Sequence, residues 1–247
     1  MKKLYVMGAL AAVLLSSCST AYQVVETASA DVKTNGNAYE HRGDDLMVSY
    51  NLWDNPGKIR FNLHNNTDQA VFVDLDRSHL IVNGQSFDYY NDTETSTSSK
   101  TGAARPSYFA STVWTNQMEV AVKSKPKRVV EIPPRSFINV GGLRVLSEMK
   151  DCSIGKSKGG VATSQTYTEE NSPLQFRNYL TYSFNPNFGN TETIDNSFYA
   201  QRVVNLTATA FKGKSKKFKA CPDDNFSKQG YEMPYQKPQN LYIRVKQ

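Results

Sequence analysis

The sequence predicts an all-β protein, an immunoglobulin-like β-sandwich with long Ser- and Gly-rich loops, and three observations carry that expectation. Between Asp45 and Asn91, apolar and polar residues alternate at period two: Ile59, Phe61 and Leu63 against Arg60, Asn62 and His64, then Val71, Val73 and Leu75. Those six apolar residues are expected to face the core. Turn chemistry separates the runs: Asn65-Asn66-Thr67-Asp68 follows the first, and Asn83-Gly84, which favours a two-residue hairpin loop, follows Leu80 and Val82. The chain also lacks a long amphipathic helix and any internal repeat. With 39% hydrophobic and 21% charged residues, it has the apolar content of a real core.

At the N-terminus, Lys2 and Lys3 precede an apolar run, Leu4–Leu15, too short to span a bilayer as a helix and flanked as a secretory signal is. The run ends in Leu15-Ser16-Ser17-Cys18, which resembles the bacterial lipobox; that resemblance implies cleavage before Cys18 and a diacylglycerol on its thiol. An ordinary signal peptide with an incidental cysteine is the alternative. Several acyl chains would anchor the protein firmly, since each buried methylene adds about 0.8 kcal/mol. By the sorting of such lipoproteins, a residue other than Asp after the cysteine implies the outer membrane. The absence of acidic residues there favours the periplasmic leaflet over the cell surface.

Residues 1–17 are thus a leader, 18–44 a lipidated N-terminus and tether with a first edge strand, and 45–247 one sandwich domain. Leu46, Val48, Tyr50 and Leu52 share a strand face, which leaves Trp53 out of phase and outward, beside a turn at Asp54-Asn55-Pro56-Gly57. Residues 92–107 are Ser- and Thr-rich, low in hydrophobics, and expected to be a mobile loop. A strand pair around Trp114 resumes at Tyr108–Val122. Arg128–Ile132 is a strand that Pro133-Pro134 confines to an edge. Gly141-Gly142 breaks the strand begun at Phe137, and Gly155–Ser164 is a second loop. Phe176, Tyr179, Tyr182 and Phe184 mix both periods and are assigned to a strand. Phe198–Phe211 and Leu241–Val245 are the last strands.

Loss of Lys2 and Lys3 with the leader lowers the net charge from +6 to +4, 27 basic against 23 acidic side chains. Lys212, Lys214, Lys216, Lys217 and Lys219 account for that excess, and their spacing predicts a strand end or hairpin tip. Contact with anionic lipid, lipopolysaccharide phosphate or acidic glycan is one reading. A solvated hairpin that discourages edge pairing is the other. Nucleic acid is not an expected partner of an exported lipoprotein. With Cys18 acylated, Cys152 and Cys221 remain, and in an oxidising compartment two thiols pair as one disulfide. It would close a loop of about seventy residues, for roughly 4 kcal/mol on the chain-entropy model. Two unpaired buried cysteines are the alternative.

Enzymatic motifs fail one by one. Gly155-Lys156-Ser157 and Gly213-Lys214-Ser215 mimic the end of a phosphate-binding loop, but Lys150 and Ala208 stand where its first glycine belongs. His41, His64 and His79 are far apart and have no i, i+4 partner. Asp74 with Asp76, Asp44-Asp45 and Asp223-Asp224 form no calcium-ligand series and read as solvated surface charge. No Gly-x-Ser-x-Gly elbow occurs. No catalytic residue, metal ligand or cofactor is therefore expected. Trp53, Tyr89, Tyr90 and Trp114 could form an aromatic platform for a glycan; packing against a second layer is the alternative.

The elements YNLW (50–53), IRFNLHNNTD (59–68), VDL followed by Ser78, VNG (82–84), IPPRS (132–136), DC (151–152), SPLQFRNYLTY (172–182), NSFY (196–199) and the terminal LYIRV resemble an uncharacterised family of Bacteroidetes lipoproteins. The resemblance spans most of the mature chain and implies origin and architecture only. The expected function is a membrane-anchored, non-catalytic structural or protein-interaction module of the envelope. A glycan- or lipid-binding module is the alternative.

Overall fold

A computed structural model describes residues 20–36, 38–90, 95–102, 117–124, 127–149, 163–219 and 227–246. The elements are β1 (Thr20–Ala28), β2 (Lys33–Asn35), β3 (Ala38–Arg42), β4 (Leu46–Tyr50), β5 (Lys58–Asn65), β6 (Val71–Val82), β7 (Gln85–Asp88), β8 (Thr95–Gly102), β9 (Gln117–Ser124), β10 (Val129–Ile132), β11 (Phe137–Arg144), β12 (Thr163–Thr166), β13 (Gln175–Ser183), β14 (Glu192–Thr207), the helix α1 (Ala208–Lys212), β15 (Ser215–Lys219), β16 (Ser227–Tyr231) and β17 (Asn240–Lys246). The protein is all-β, and its one described helix is five residues long.

Two antiparallel sheets share the main core. The larger runs β10-β6-β13-β14-β1-β17, with β7 paired to β6 and β12 to β14; the smaller runs β11-β5-β4-β3-β2. β8–β9 and β15–β16 are separate two-stranded hairpins. Strand β5 shows why the alternating stretch folds as it does: Ile59, Phe61 and Leu63 are buried while Lys58 and Arg60 stay in water. Leu46, Val48 and Tyr50 of β4 enter the same cluster, as do Val71, Val73, Phe176, Leu180 and Phe198 of the opposite sheet. Five of the six residues expected inward are thus buried. The sixth, Leu75, is half-buried against the same core, because β6 bulges there. Asp74 lies opposite Thr181 and His79 opposite Tyr179, so residues 75–78 all face Leu180.

The turns follow their chemistry. Asn83 and Gly84 take φ of 48° and 83° between β6 and β7, as a two-residue hairpin loop of mirror-image type requires. Gly57 (φ 66°) lets the turn before β5 press on a neighbour: a Cβ there would lie 2.7 Å from the Leu146 carbonyl oxygen. In return the Gly57 carbonyl accepts from the Val145 and Leu146 N–H groups. β10, before Pro133-Pro134, is an outermost strand of the larger sheet, as expected.

Several expectations need correction. Residues 20–28 are not a tether: they form β1, inside the larger sheet between β14 and β17, while the edge strand expected before Asp45 is present as β2, outermost in the smaller sheet. Its two faces serve two cores, Val25 the main one and Val24 a second. Buried Gln23 is satisfied by the Met149 N–H and carbonyl and by Asn205. Part of the loop expected at 92–107 is strand β8, paired along its length with β9. Gly141-Gly142 is a bulge within β11 rather than its end. Phe211 ends in α1, not in a strand.

Candidate functional site: the aromatic block and the lysine hairpin

On the face of the larger sheet turned away from the main core, four rings from distant parts of the chain meet. Thr207 ends β14 and caps α1, its hydroxyl accepting from the Ala210 N–H. That turn lays Phe211 flat on Tyr22 of β1, ring centroids 3.9 Å apart. Trp53 and Tyr242 of β17 close the group, 4.4 Å from each other and 5.5 and 5.1 Å from Phe211. Trp53 and Phe211 are 6% and 4% exposed, so the rings form a solid block rather than an open platform. Burial, with Tyr22 and Asp54 nearby, raises the pKa of the Tyr242 hydroxyl. Beside the block, Asn51, Trp53, Gln236, Lys237 and Pro238 line an open cleft of about 310 Å³.

From α1 the chain enters the β15–β16 hairpin, which pairs with no other described strand. Backbone bonds from Glu232 N–H to the Lys214 carbonyl and from Met233 N–H to the Lys212 carbonyl tie its base to α1. Phe218 lies across the hairpin over Gly230, where an added Cβ would come 2.9 Å from the ring. Phe218 and Tyr231 remain 44% and 47% exposed. The Lys216 Nζ stands 5.8 Å from the Phe218 centroid, and the Lys212 Nζ 5.1 Å from that of Tyr231.

Arg42, Arg77, Arg128, Arg135, Arg177 and Arg202 each pair with a carboxylate. Among the described residues, Lys212, Lys214, Lys216, Lys217 and Lys228 make no such pair. The expected hairpin is therefore present, and β15 ends at Lys219. Phe218, Tyr231 and Lys228 were not singled out from the sequence; the ring set among lysines in KSKKFK (214–219) is the signal that marks the first.

Of the four aromatic residues expected as a platform, the three described ones, Trp53, Tyr89 and Tyr90, are not brought together. Trp53 is buried in the block, because its out-of-phase position turns it onto the second core and not into water. Tyr89 packs edge-on against Phe61 in the main core and donates to Asn178. Tyr90 is half-buried, its N–H bonded to the Leu75 carbonyl. Trp114, Cys18, Cys152 and Cys221 lie outside the described residues.

The buried polar groups serve the fold. Tyr50 donates to Asn196 and accepts from Asn178, the pair facing each other across β13 and β14. Burial raises the Tyr50 and Tyr89 hydroxyl pKa values far above the ordinary range and that of Tyr39 to about 12, which Thr27 and Ser29 partly offset. All three phenols therefore stay protonated near neutrality. Asp74 was expected on the surface and is buried instead; Arg77 and Arg128 lie beside it and the Asp76 N–H donates to it. His41, His64 and His79 lie apart, respectively by the Asp31 carbonyl, the Phe137 ring and Asp88. Among the described residues no group of three His, Cys, Asp or Glu is placed to hold a metal ion.

Comparison of the chain with protein-family models, with curated proteins and with solved structures gives no match.

Proposed function

We propose that this protein is a lipid-anchored envelope protein, held through Cys18 in the periplasmic leaflet of the outer membrane, and that it acts as a non-catalytic structural or protein-interaction module. One observation carries the reading. Of the rings that would make a ligand platform, Trp53 is buried in one cluster and Tyr89 packs against the other, whereas Phe137, 56% exposed, stands on β11, an outermost strand of the smaller sheet. Ile138, Val140 and Leu143 of that strand hold to the core, so its outer backbone groups are fixed in position for an added strand. The immunoglobulin-like form of the sandwich belongs to the same proposal. It is supported by two antiparallel sheets around one core, with the chain crossing between them after β1, β5, β10 and β11.

A photo-reactive side chain at Phe137, activated in native membranes, should give a discrete protein adduct that is absent when the same group replaces Ser86 on β7. Equal yields at both positions, or none at either, would overturn the module. The anchor is tested apart from it: Cys18→Ser should abolish labelling by an alkynyl fatty acid, and labelling that survives ends that reading. Glycan binding has the cleft at Trp53 in its favour. Calorimetric titration with envelope glycan fragments decides it, and binding lost in Gln236→Ala would favour it over the partner module.

A further inference from the structure

We propose that α1 and the β15–β16 hairpin form a foot that rests on the anionic phospholipid surface of the leaflet holding Cys18. The proposal rests on the anchor reading, and strand register supplies the geometry. Ala21 of β1 lies opposite Thr207 on one side and Val245 on the other. Thr207 is the residue from which α1 and then the hairpin depart. Only Ser19 separates Cys18 from Thr20, so at 3.3–3.6 Å per residue the acylated cysteine lies within about 7 Å of the start of β1. The anchor and the base of the hairpin therefore share one end of the larger sheet.

Charge and rings point to lipid as the occupant. Residues 212–228 hold six lysines against two aspartates, Asp223 and Asp224 in the connection. Within the described α1, β15 and β16 there is no acidic residue. The register sets Lys216, Phe218 and Lys228 on one face and Lys217 and Tyr231 on the other. Both faces thus pair an exposed ring with cations. That suits a hairpin immersed edge-on among headgroups, its rings at the acyl boundary and its ammonium groups at the phosphates. A protein partner would cover one face and leave the other in water.

The test separates the foot from the anchor. Mature chain carrying Cys18→Ser, hence unacylated, should float with vesicles of phosphatidylethanolamine and phosphatidylglycerol. It should not float with phosphatidylethanolamine and phosphatidylcholine, and added salt should release it. Replacing Lys214, Lys216 and Lys217 with Ala should weaken partitioning on the order of a hundredfold, from about 1 kcal/mol for each lysine. In the acylated protein reconstituted into the anionic vesicles, the indole of Phe218→Trp should be quenched by brominated lipid and that of Phe87→Trp should not. Equal flotation with both lipid mixtures, an unaffected triple variant or an unquenched indole overturns the foot even where fatty-acid labelling of Cys18 succeeds. Failure of that labelling overturns the proposal at its base.

Discussion

Asn65 uses both ends of its amide. Its Nδ2 lies within hydrogen-bonding distance of the carbonyls of Gln69, Ile132 and Pro133, and its Oδ1 accepts from the Thr67 N–H and hydroxyl. One side chain thereby joins the turn between β5 and β6 to the crossing between β10 and β11. Asn65→Ala leaves buried groups on both sides without partners and should cost about 2–3 kcal/mol, a fall in melting temperature of roughly 5–10 °C by calorimetry. Tyr50→Phe removes the acceptor of the Asn178 amide and the donor to Asn196 while keeping the ring packed. It should lower the urea midpoint by the equivalent of about 1–3 kcal/mol with an unchanged slope. The turn at Asn65 was legible from composition, because Asn and Asp bond their own backbone. Its burial was not, since the carbonyls it meets lie 67 and 68 residues away. Trp53 failed for a related reason: phase along a strand tells which face a side chain takes, but not whether that face is wet.

Among the elements, β5, β17 and the hairpin of β6 with β7 could be read from periodicity and turn residues, and β1 could not. Tyr22-Gln23-Val24-Val25 does not alternate because both faces of β1 are covered, one by the main core and one by the aromatic block. Its most polar member is buried by bonds to residues 126 and 182 positions away. A chain lacking residues 20–28 should accordingly fail to fold, seen as loss of the strand signal in circular dichroism; a cooperative thermal transition in that truncation would refute the placement of β1. The lysine hairpin pairs with no other described strand and should behave oppositely. Gly230→Ala drives a methyl into the Phe218 ring. Amide exchange in β15 and β16 should speed up while the melting temperature of the body stays within about 1 °C.

At the scale of the whole molecule, the main core encloses the rings of Tyr39, Tyr50, Tyr89 and Tyr182. In the unfolded chain Tyr39 ionises near pH 10.0, but in the native protein only near about 12, and burial pushes Tyr50 and Tyr89 the same way. Above about pH 10 the unfolded state therefore holds fewer protons than the native one, and stability falls as pH rises; below that pH these groups contribute a constant amount. Titration by ultraviolet absorbance should show exposed tyrosines ionising first and the core tyrosines in one later step coincident with unfolding. A smooth titration of all fourteen tyrosines with the fold intact would contradict the buried network. The position of β1 has a further consequence, for the order in which the molecule comes into being. Its first residues are made first, yet their partners are Thr207 and Val245. At about 5–20 residues per second, roughly 10–45 s pass before the last partner is synthesised. Throughout that interval β1 offers both of its hydrogen-bonding edges to whatever it meets. The larger sheet cannot take its full form while the chain is still short of Asn240–Lys246, since β17 covers one of the two edges of β1.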